Sequence, residues 1–139
     1  MTSPPDAPAP QSGKTRAPMR VLIADDSAAV RERLAELLRE IPNVHIVGEA
    51  SDGIEALRLV KRNRPHVAIL DIQMPGANGI DVLREIRSED QKSIVIMLTN
   101  FADGGSRKAS RQRGADYFFD KMREMDKLQE LLRTLSAAE

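Results

Sequence analysis

Two short segments of the chain are apolar at every position, residues 67–70 (VAIL) and 94–98 (IVIML). A strand that is covered on both faces has this pattern, whereas a strand with one face in water alternates apolar and polar residues. Strands buried on both faces are typical of parallel sheets, because the crossover helices lie on both sides of such a sheet. The two segments therefore favour an α/β fold.

Segments with helical periodicity alternate with the strand-like runs. The pattern predicts strands over residues 20–24, 45–49, 67–70, 94–98 and 117–119. Helices are predicted after the capping residues Ser27, Asp52 and Asn78 or Gly79, over residues 106–113, and along the apolar stripe of residues 125–135. Residues 103–105 (DGG) are predicted to be a loop. Five such strand–helix units imply a parallel sheet with helices on both faces, but the pattern does not give the strand order.

The first 18 residues differ in composition from the rest of the chain. They contain five of the eight prolines and almost no large apolar residue, so we expect a disordered tail over residues 1–18 and one folded domain over residues 19–139. Met19 directly precedes the first strand, and the sequence leaves open whether Met1 or Met19 is the native start.

Composition also excludes several classes of protein. The chain has no cysteine, which excludes disulfides and thiolate metal sites. No apolar run approaches the roughly 20 residues that a membrane-spanning helix needs. The formal net charge is zero, which argues against a dominant nucleic-acid-binding surface. We therefore expect a cytoplasmic protein that binds neither membranes nor DNA directly.

Polar residues stand at the ends of four predicted strands. They are Asp25 and Asp26, Asp71, Thr99, and Lys121. If the strands are parallel and adjacent, these side chains meet at one edge of the sheet, where open α/β sheets form their sites. Each residue alone has an ordinary structural explanation as a helix start, a strand end or a solvated side chain. Together they point to a shared site.

The chemistry of this set suits phosphoryl transfer. Three carboxylates close together favour a hard cation such as Mg²⁺, and a bound Mg²⁺ can orient a phosphoryl group. A carboxylate, here Asp71, can act as the nucleophile and become an aspartyl phosphate. Lys121 would supply a positive charge for a phosphate oxygen and Thr99 a hydroxyl donor.

The sequence resembles the receiver domain of two-component response regulators. The resemblance is carried by LIADDS at residues 22–27, LDIQMPGANG at residues 70–79, Thr99 and Lys121, and it extends from residue 20 to about residue 135. It implies a flavodoxin-like (βα)5 fold, which is a doubly wound parallel five-stranded sheet of strand order 2-1-3-4-5.

The resemblance also implies roles for individual residues. Asp71 corresponds to the phosphoacceptor. Asp26, Asp71 and the backbone carbonyl of Gln73 correspond to direct Mg²⁺ ligands, and Asp25 to the acid that holds the ion through water. Gln73 and Phe101 occupy positions where the family tunes the attack of water on the aspartyl phosphate, so the sequence does not predict that rate.

The same resemblance implies two switch residues, and the sequence differs from the usual family pattern at two positions. Thr99 and Phe118 correspond to the switch hydroxyl and the switch aromatic residue, and Lys121 to the amine that pairs with the phosphate. Asn100 follows Thr99 where the family usually has a small residue, and we expect it to narrow access to the phosphoryl group. Met122 follows Lys121 where the family usually has proline, so we expect either a trans bond or a strained cis bond there.

The predicted fourth helix is basic and weakly apolar. Ala109 is its only apolar contact, while Arg107, Lys108, Arg111 and Arg113 form a basic patch. The patch is either a solvated helix face or a surface for an acidic partner. In receivers, the fourth helix, the fifth strand and the fifth helix form the usual signalling face.

We expect a single-domain response regulator, because the resemblance covers essentially the whole folded part of the chain. It would take a phosphoryl group from a sensor histidine kinase or a histidine phosphotransfer protein onto Asp71, and would signal to a downstream output protein. Such a protein catalyses at most its own phosphorylation and dephosphorylation, and is not a metabolic enzyme. One alternative, motivated by Asn100 and Met122, is a receiver-fold binding module that acts without phosphorylation. A metal-dependent phosphohydrolase is a further alternative.

Overall fold

The computed structural model of the chain describes residues 17–89, 92–100 and 104–138. The strands are β1 (Met19–Ala24), β2 (Val44–Ala50), β3 (Val67–Asp71), β4 (Ile94–Thr99) and β5 (Tyr117–Asp120). The helices are α1 (Ala28–Arg39), α2 (Gly53–Asn63), α3 (Gly79–Ser88), α4 (Gly104–Gln112) and α5 (Met125–Ala137). Of the predicted disordered tail, only Ala17 and Pro18 belong to the described residues.

The five strands form one parallel sheet with the order β2-β1-β3-β4-β5. This confirms the fold class and the strand order that the family resemblance implied. Alternate residues of each central strand enter separate cores, because successive side chains of a strand point to opposite faces. Val21 and Ile23 pack with residues of α1 and α5, whereas Leu22 and Ala24 pack with residues of α2 and α3.

Side-chain caps explain where three of the helices begin. Ser27, Asp52 and Asn78 each accept a hydrogen bond from the backbone N–H three residues later, which pairs a donor that the first helical turn leaves free. Asn78 and Asp81 form a reciprocal capping box. The predicted starts of α1, α2 and α3 are therefore confirmed.

The prediction for the start of α4 is wrong. Gly104 and Gly105 were assigned to a loop, but they form the first turn of α4. The helix penalty of glycine applies to helix interiors, so it is a poor guide at a helix end. The predicted apolar contact, Ala109, is only partly buried, whereas the neighbouring Ser110 is fully buried.

Gly79 joins the carboxyl end of β3 to the start of α3. Its N–H donates a hydrogen bond of 2.8 Å to the carbonyl oxygen of Ile72. A Cβ atom at this position would collide with the backbone carbonyl of Asp71. The absence of a side chain therefore lets α3 begin directly against the last residue of β3.

Candidate functional site

Three carboxylates meet at the carboxyl edge of the sheet. Asp25 and Asp26 follow β1, and Asp71 is the last residue of the neighbouring strand β3. Each offers an oxygen atom, and these oxygens lie within 4.8 Å of one another. Asp25 and Asp71 are buried, whereas Asp26 is exposed. The structure thus brings Asp71 next to two acids that are far from it in the sequence, and one of these two, Asp26, is open to water.

Lys121 completes the cluster from the end of β5. Its Nζ atom lies 2.5 Å from Oδ2 of Asp25 and 3.1 Å from Oδ2 of Asp71, and the side chain is almost fully buried. Its backbone N–H donates to the carbonyl oxygen of Thr99 at 2.8 Å, which fixes the chain beside β4. Lys121 is therefore the ion-pair partner of the buried Oδ2 atom of Asp25.

The two buried carboxylates and one ammonium group leave a net negative charge in a poorly solvated site. The pKa of Asp71 is raised from 3.8 to about 6, chiefly by burial and also by the negative charge of Asp25. Lys121 opposes both effects by favouring the ionised carboxylate, and the N–H of Gln73 does so as well. An added cation would relieve this imbalance.

The donor set fits a hard divalent cation. All three groups are carboxylates, and oxygen ligands are those that Mg²⁺ prefers. Gln73 lies two residues after Asp71, and its N–H donates to Oδ1 of Asp71 at 3.3 Å. The residues present are therefore suited to Mg²⁺.

The proposed switch residues lie on the strands next to the cluster. Thr99 ends β4, is buried, and is paired in register with Asp120 of β5. Phe118 is partly buried on β5, and the guanidinium carbon of Arg107 lies 4.6 Å from the centroid of its ring. Asn100 is exposed directly after Thr99. Phe101 lies outside the described residues.

Met122 is the most exposed large apolar residue of the described chain, at 79%. Of the two expectations for the Lys121–Met122 peptide bond, the trans bond is the one observed. The N–H of Met122 donates to Oδ1 of Asp120 at 2.7 Å, a hydrogen bond that proline would lack. The replacement of the usual proline is therefore accommodated by a local contact.

Two residues that hold Asp25 in place, Ser27 and Arg31, were not identified as site residues from the sequence. The N–H of Ser27 donates to Oδ1 of Asp25 at 2.8 Å, and a guanidinium N–H of Arg31 donates to the backbone oxygen of Asp25 at 2.5 Å. Asp followed two residues later by a helix cap is a recognisable turn signal that predicts the first contact. No local pattern predicts the second.

None of the helices in the described ranges is long and apolar enough to cross a membrane.

Known proteins share both the sequence pattern and the fold. Residues 21–133 match the family of response regulator receiver domains. The transcriptional regulatory protein PdtaR of Mycobacterium tuberculosis is 45% identical over 98 residues, which are 70% of this chain and 47% of the relative. A protein-glutamate methylesterase/protein-glutamine glutaminase of Myxococcus xanthus is 42% identical over 82 residues, which are 59% of this chain and 23% of the relative. The chain thus spans less than half the length of these two relatives.

The fold agrees with solved receiver structures. The signal receiver domain of the putative response regulator NarL from Mycobacterium tuberculosis superposes with a TM-score of 0.81 at 29% identity, and the match covers 89% of this chain and all of that one. The family match extends over most of the sequence, and the sheet order is the one that the resemblance implied. The chain therefore belongs to the response regulator receiver domains of two-component systems.

Proposed function

We propose that this receiver domain accepts a phosphoryl group on Asp71 from a phosphohistidine partner, which is a sensor histidine kinase or a histidine phosphotransfer protein. The observation that carries the proposal is the cluster of Asp25, Asp26 and Asp71 within 4.8 Å, with the Lys121 ammonium group 3.1 Å from Asp71. Such a cluster supplies the nucleophile, the positive charge of Lys121 and oxygen ligands for Mg²⁺, which are the groups that phosphoryl transfer uses.

In the proposed step, a carboxylate oxygen of Asp71 attacks the phosphorus atom of the phosphohistidine. A P–O bond forms as the P–N bond breaks, and the imidazole leaves with the electron pair of that bond. Lys121 is placed to pair with a phosphoryl oxygen, because its Nζ atom already contacts Oδ2 of Asp71. The raised pKa of Asp71 keeps the carboxylate basic and therefore nucleophilic once it is ionised.

The metal site would be formed by Asp25, Asp26, Asp71 and the backbone carbonyl of Gln73. When bound, Mg²⁺ orients the phosphoryl oxygens and neutralises charge that develops during transfer. The exposed carboxylate of Asp26 gives the ion an approach from solvent, while the two buried carboxylates hold fixed positions.

Phosphorylation would add a charge of about −1.5 to −2 to the site. The hydroxyl of Thr99 and the ammonium group of Lys121 are the groups that respond to this charge, and the ring of Phe118 reports their movement on β5. The signalling face is then α4, β5 and α5, which would bind a downstream output partner. One relative is named a transcriptional regulatory protein, but we keep the prediction that this domain itself does not bind DNA. A cytoplasmic location fits the proposed partners.

The test is phosphorylation of the purified protein by acetyl phosphate. We expect one added phosphoryl group by intact-protein mass spectrometry in the presence of Mg²⁺ and none in EDTA. Asp71→Asn should abolish the addition, and Asp26→Asn should reduce it strongly. Glu36→Gln, which removes an exposed carboxylate from α1, is the matched control and should react as the wild type does. A phosphoryl group on Asp71→Asn protein would refute the assignment of Asp71.

The same assay separates the alternatives. A wild-type protein that binds Mg²⁺ but gains no phosphoryl group would favour the binding module that acts without phosphorylation. Turnover of a generic phosphoester that survives Asp71→Asn would favour a metal-dependent phosphohydrolase.

A further inference from the structure

A small basic cavity lies between α4 and β5, outside the carboxylate cluster. Its volume is about 220 Å³. Arg107, Ser110 and Arg111 line it from α4, while Tyr117 and Phe118 line it from β5. The cavity therefore belongs to the face that receivers use for signalling, yet none of its residues is part of the phosphorylation chemistry.

The cavity carries two positive charges that lack a carboxylate partner. Arg107 and Arg111 are one helical turn apart and so lie on the same side of α4. Within the described part of the chain, neither guanidinium group forms a salt bridge. The one acid that lines the cavity, Asp116, is engaged elsewhere, because its Oδ2 atom accepts from Arg87 at 2.9 Å and from the N–H of Val95 at 2.8 Å.

Ser110 adds an independent sign of a missing ligand. Its side chain is 0% exposed, and its Oγ atom has no hydrogen-bond partner. A buried hydroxyl without a partner is costly, and native proteins rarely retain one without a reason. Ser110 is one of the residues that line the same cavity as Arg107 and Arg111. The guanidinium group of Arg107 makes one long hydrogen bond, of 3.5 Å, to the carbonyl oxygen of Phe118, and its other N–H groups remain for a ligand.

We propose that this cavity binds the carboxylate of a glutamate or aspartate side chain from an acidic segment of a partner protein. The carboxylate would lie between Arg107 and Arg111 and accept a hydrogen bond from Ser110. Arginine pairs with carboxylates through two parallel hydrogen bonds, which gives both affinity and orientation. The ring of Phe118 and the methyl group of Ala115 suit the methylene stem of such a side chain. A nucleic acid is disfavoured, because the basic residues line one cavity and the chain has no net charge.

Binding there would act directly on Phe118. The guanidinium carbon of Arg107 lies 4.6 Å from the ring centroid of Phe118, which is a cation–π distance. A carboxylate that pairs with Arg107 competes with the Phe118 ring for the guanidinium group. The ring is then less restrained by its cation–π contact. This coupling rests on the proposed function, in which Phe118 is a switch residue, whereas the binding itself does not.

The test uses a defined probe, the peptide acetyl-tetraglutamate amide, titrated into ¹⁵N-labelled protein without Mg²⁺ or a phosphodonor. We expect chemical-shift changes at the amides of Ser110, Ala115 and Phe118. Arg107→Gln and Arg111→Gln should each weaken binding about tenfold. Lys108→Gln is the matched control, because it removes the same charge from an exposed position of α4 outside the cavity lining, and its affinity should stay within about twofold of the wild type.

The variant Ser110→Ala separates a role in binding from a purely structural role, because thermal stability and peptide affinity are measured on the same protein. Removing an unpaired buried hydroxyl should leave the thermal midpoint unchanged or raise it, while the affinity for the peptide falls. A lowered midpoint with unchanged affinity would overturn the role of the hydroxyl.

Three results would overturn the proposal as a whole. The first is an equal loss of affinity in the Lys108, Arg107 and Arg111 variants, which would indicate general charge attraction. The second is a set of shifts that maps away from the cavity. The third is tighter binding of an oligothymidylate with the same number of charges. Asp71→Asn protein should bind the peptide as the wild type does, so failure of phosphorylation at Asp71 and failure of this site are distinguishable.

Discussion

The ammonium group of Lys121 lies 3.1 Å from Oδ2 of Asp71, and both side chains are almost fully buried. Since Asp25 is also within ion-pair distance of Lys121, one positive charge faces two negative ones. The negative charge is therefore compensated only in part. Burial first, and then the charge of Asp25, account for the raised pKa of Asp71, and the remaining negative charge favours a further cation.

Replacing Asp71 by asparagine should stabilise the metal-free protein at neutral pH. The pKa of Asp71 is 3.8 when unperturbed and about 6 in the folded protein, so the folded state binds this proton more tightly. The stability that the proton contributes is present below about pH 4 and is lost as the pH rises through about 6. In urea denaturation with EDTA at pH 7.5, the free energy of unfolding of Asp71→Asn should exceed that of the wild type by up to about 3 kcal/mol.

The comparison at low pH is the control for this effect. At about pH 4 the wild-type carboxyl is protonated in the folded state, so the difference from Asp71→Asn should nearly disappear. Glu36→Gln, at an exposed position of α1, should not show the same pH dependence. If Asp71→Asn gained the same free energy of unfolding at both pH values, the raised pKa of Asp71 would be contradicted.

Replacing Lys121 by methionine should destabilise the metal-free protein and increase its response to Mg²⁺. The substitution leaves two buried carboxylates without their cation, a loss typically worth about 3 to 5 kcal/mol. Because Mg²⁺ would then replace the missing charge, its addition should recover more stability in this variant than in the wild type. Chemical denaturation with and without Mg²⁺ measures both effects.

Lys127→Met is the matched control for Lys121→Met, because Lys127 is exposed and its contact with Glu124 spans 3.6 Å on the surface. It should change the unfolding free energy by less than about 1 kcal/mol. Equal losses in the two variants would show that the buried ion pairs do not contribute as their geometry indicates.

Restoring the usual proline at Met122 should be unfavourable in this chain. Proline has no N–H and so removes the 2.7 Å hydrogen bond to Oδ1 of Asp120, at an expected loss of about 0.5 to 1.5 kcal/mol. Met122→Ala keeps that N–H and removes only an exposed side chain, so its thermal midpoint should match the wild type. A proline variant as stable as the alanine variant would show that this hydrogen bond is unimportant.

Adding a methyl group at Gly79 should disturb the end of β3. A Cβ atom there would collide with the carbonyl group of Asp71, which is backbone and cannot move aside alone. We expect Gly79→Ala to lose more than about 2 kcal/mol of unfolding free energy and to lower the rate of acetyl phosphate labelling. At Gly48, the nearest atoms to an added Cβ are the flexible side-chain ends of Leu22 and Leu59, so Gly48→Ala should lose less than about 1 kcal/mol.

The sequence by itself determined the order of the elements, the parallel sheet and the edge at which the polar residues collect. These features are local, because strand burial, helical periodicity and the caps at Ser27, Asp52 and Asn78 depend on residues close together in the chain. The family resemblance added the strand order, which periodicity alone left open.

Only the tertiary structure decided how these residues contact one another. Lys121 pairs with both Asp25 and Asp71, Arg31 supports the backbone of Asp25, and Arg107 lies over the ring of Phe118. Most of these contacts join different strands and helices, so their distances depend on sheet order, twist and helix packing. The same reason explains why the burial of Ser110 was missed: a hydroxyl on a polar helix is expected in solvent until the packing against β5 is known.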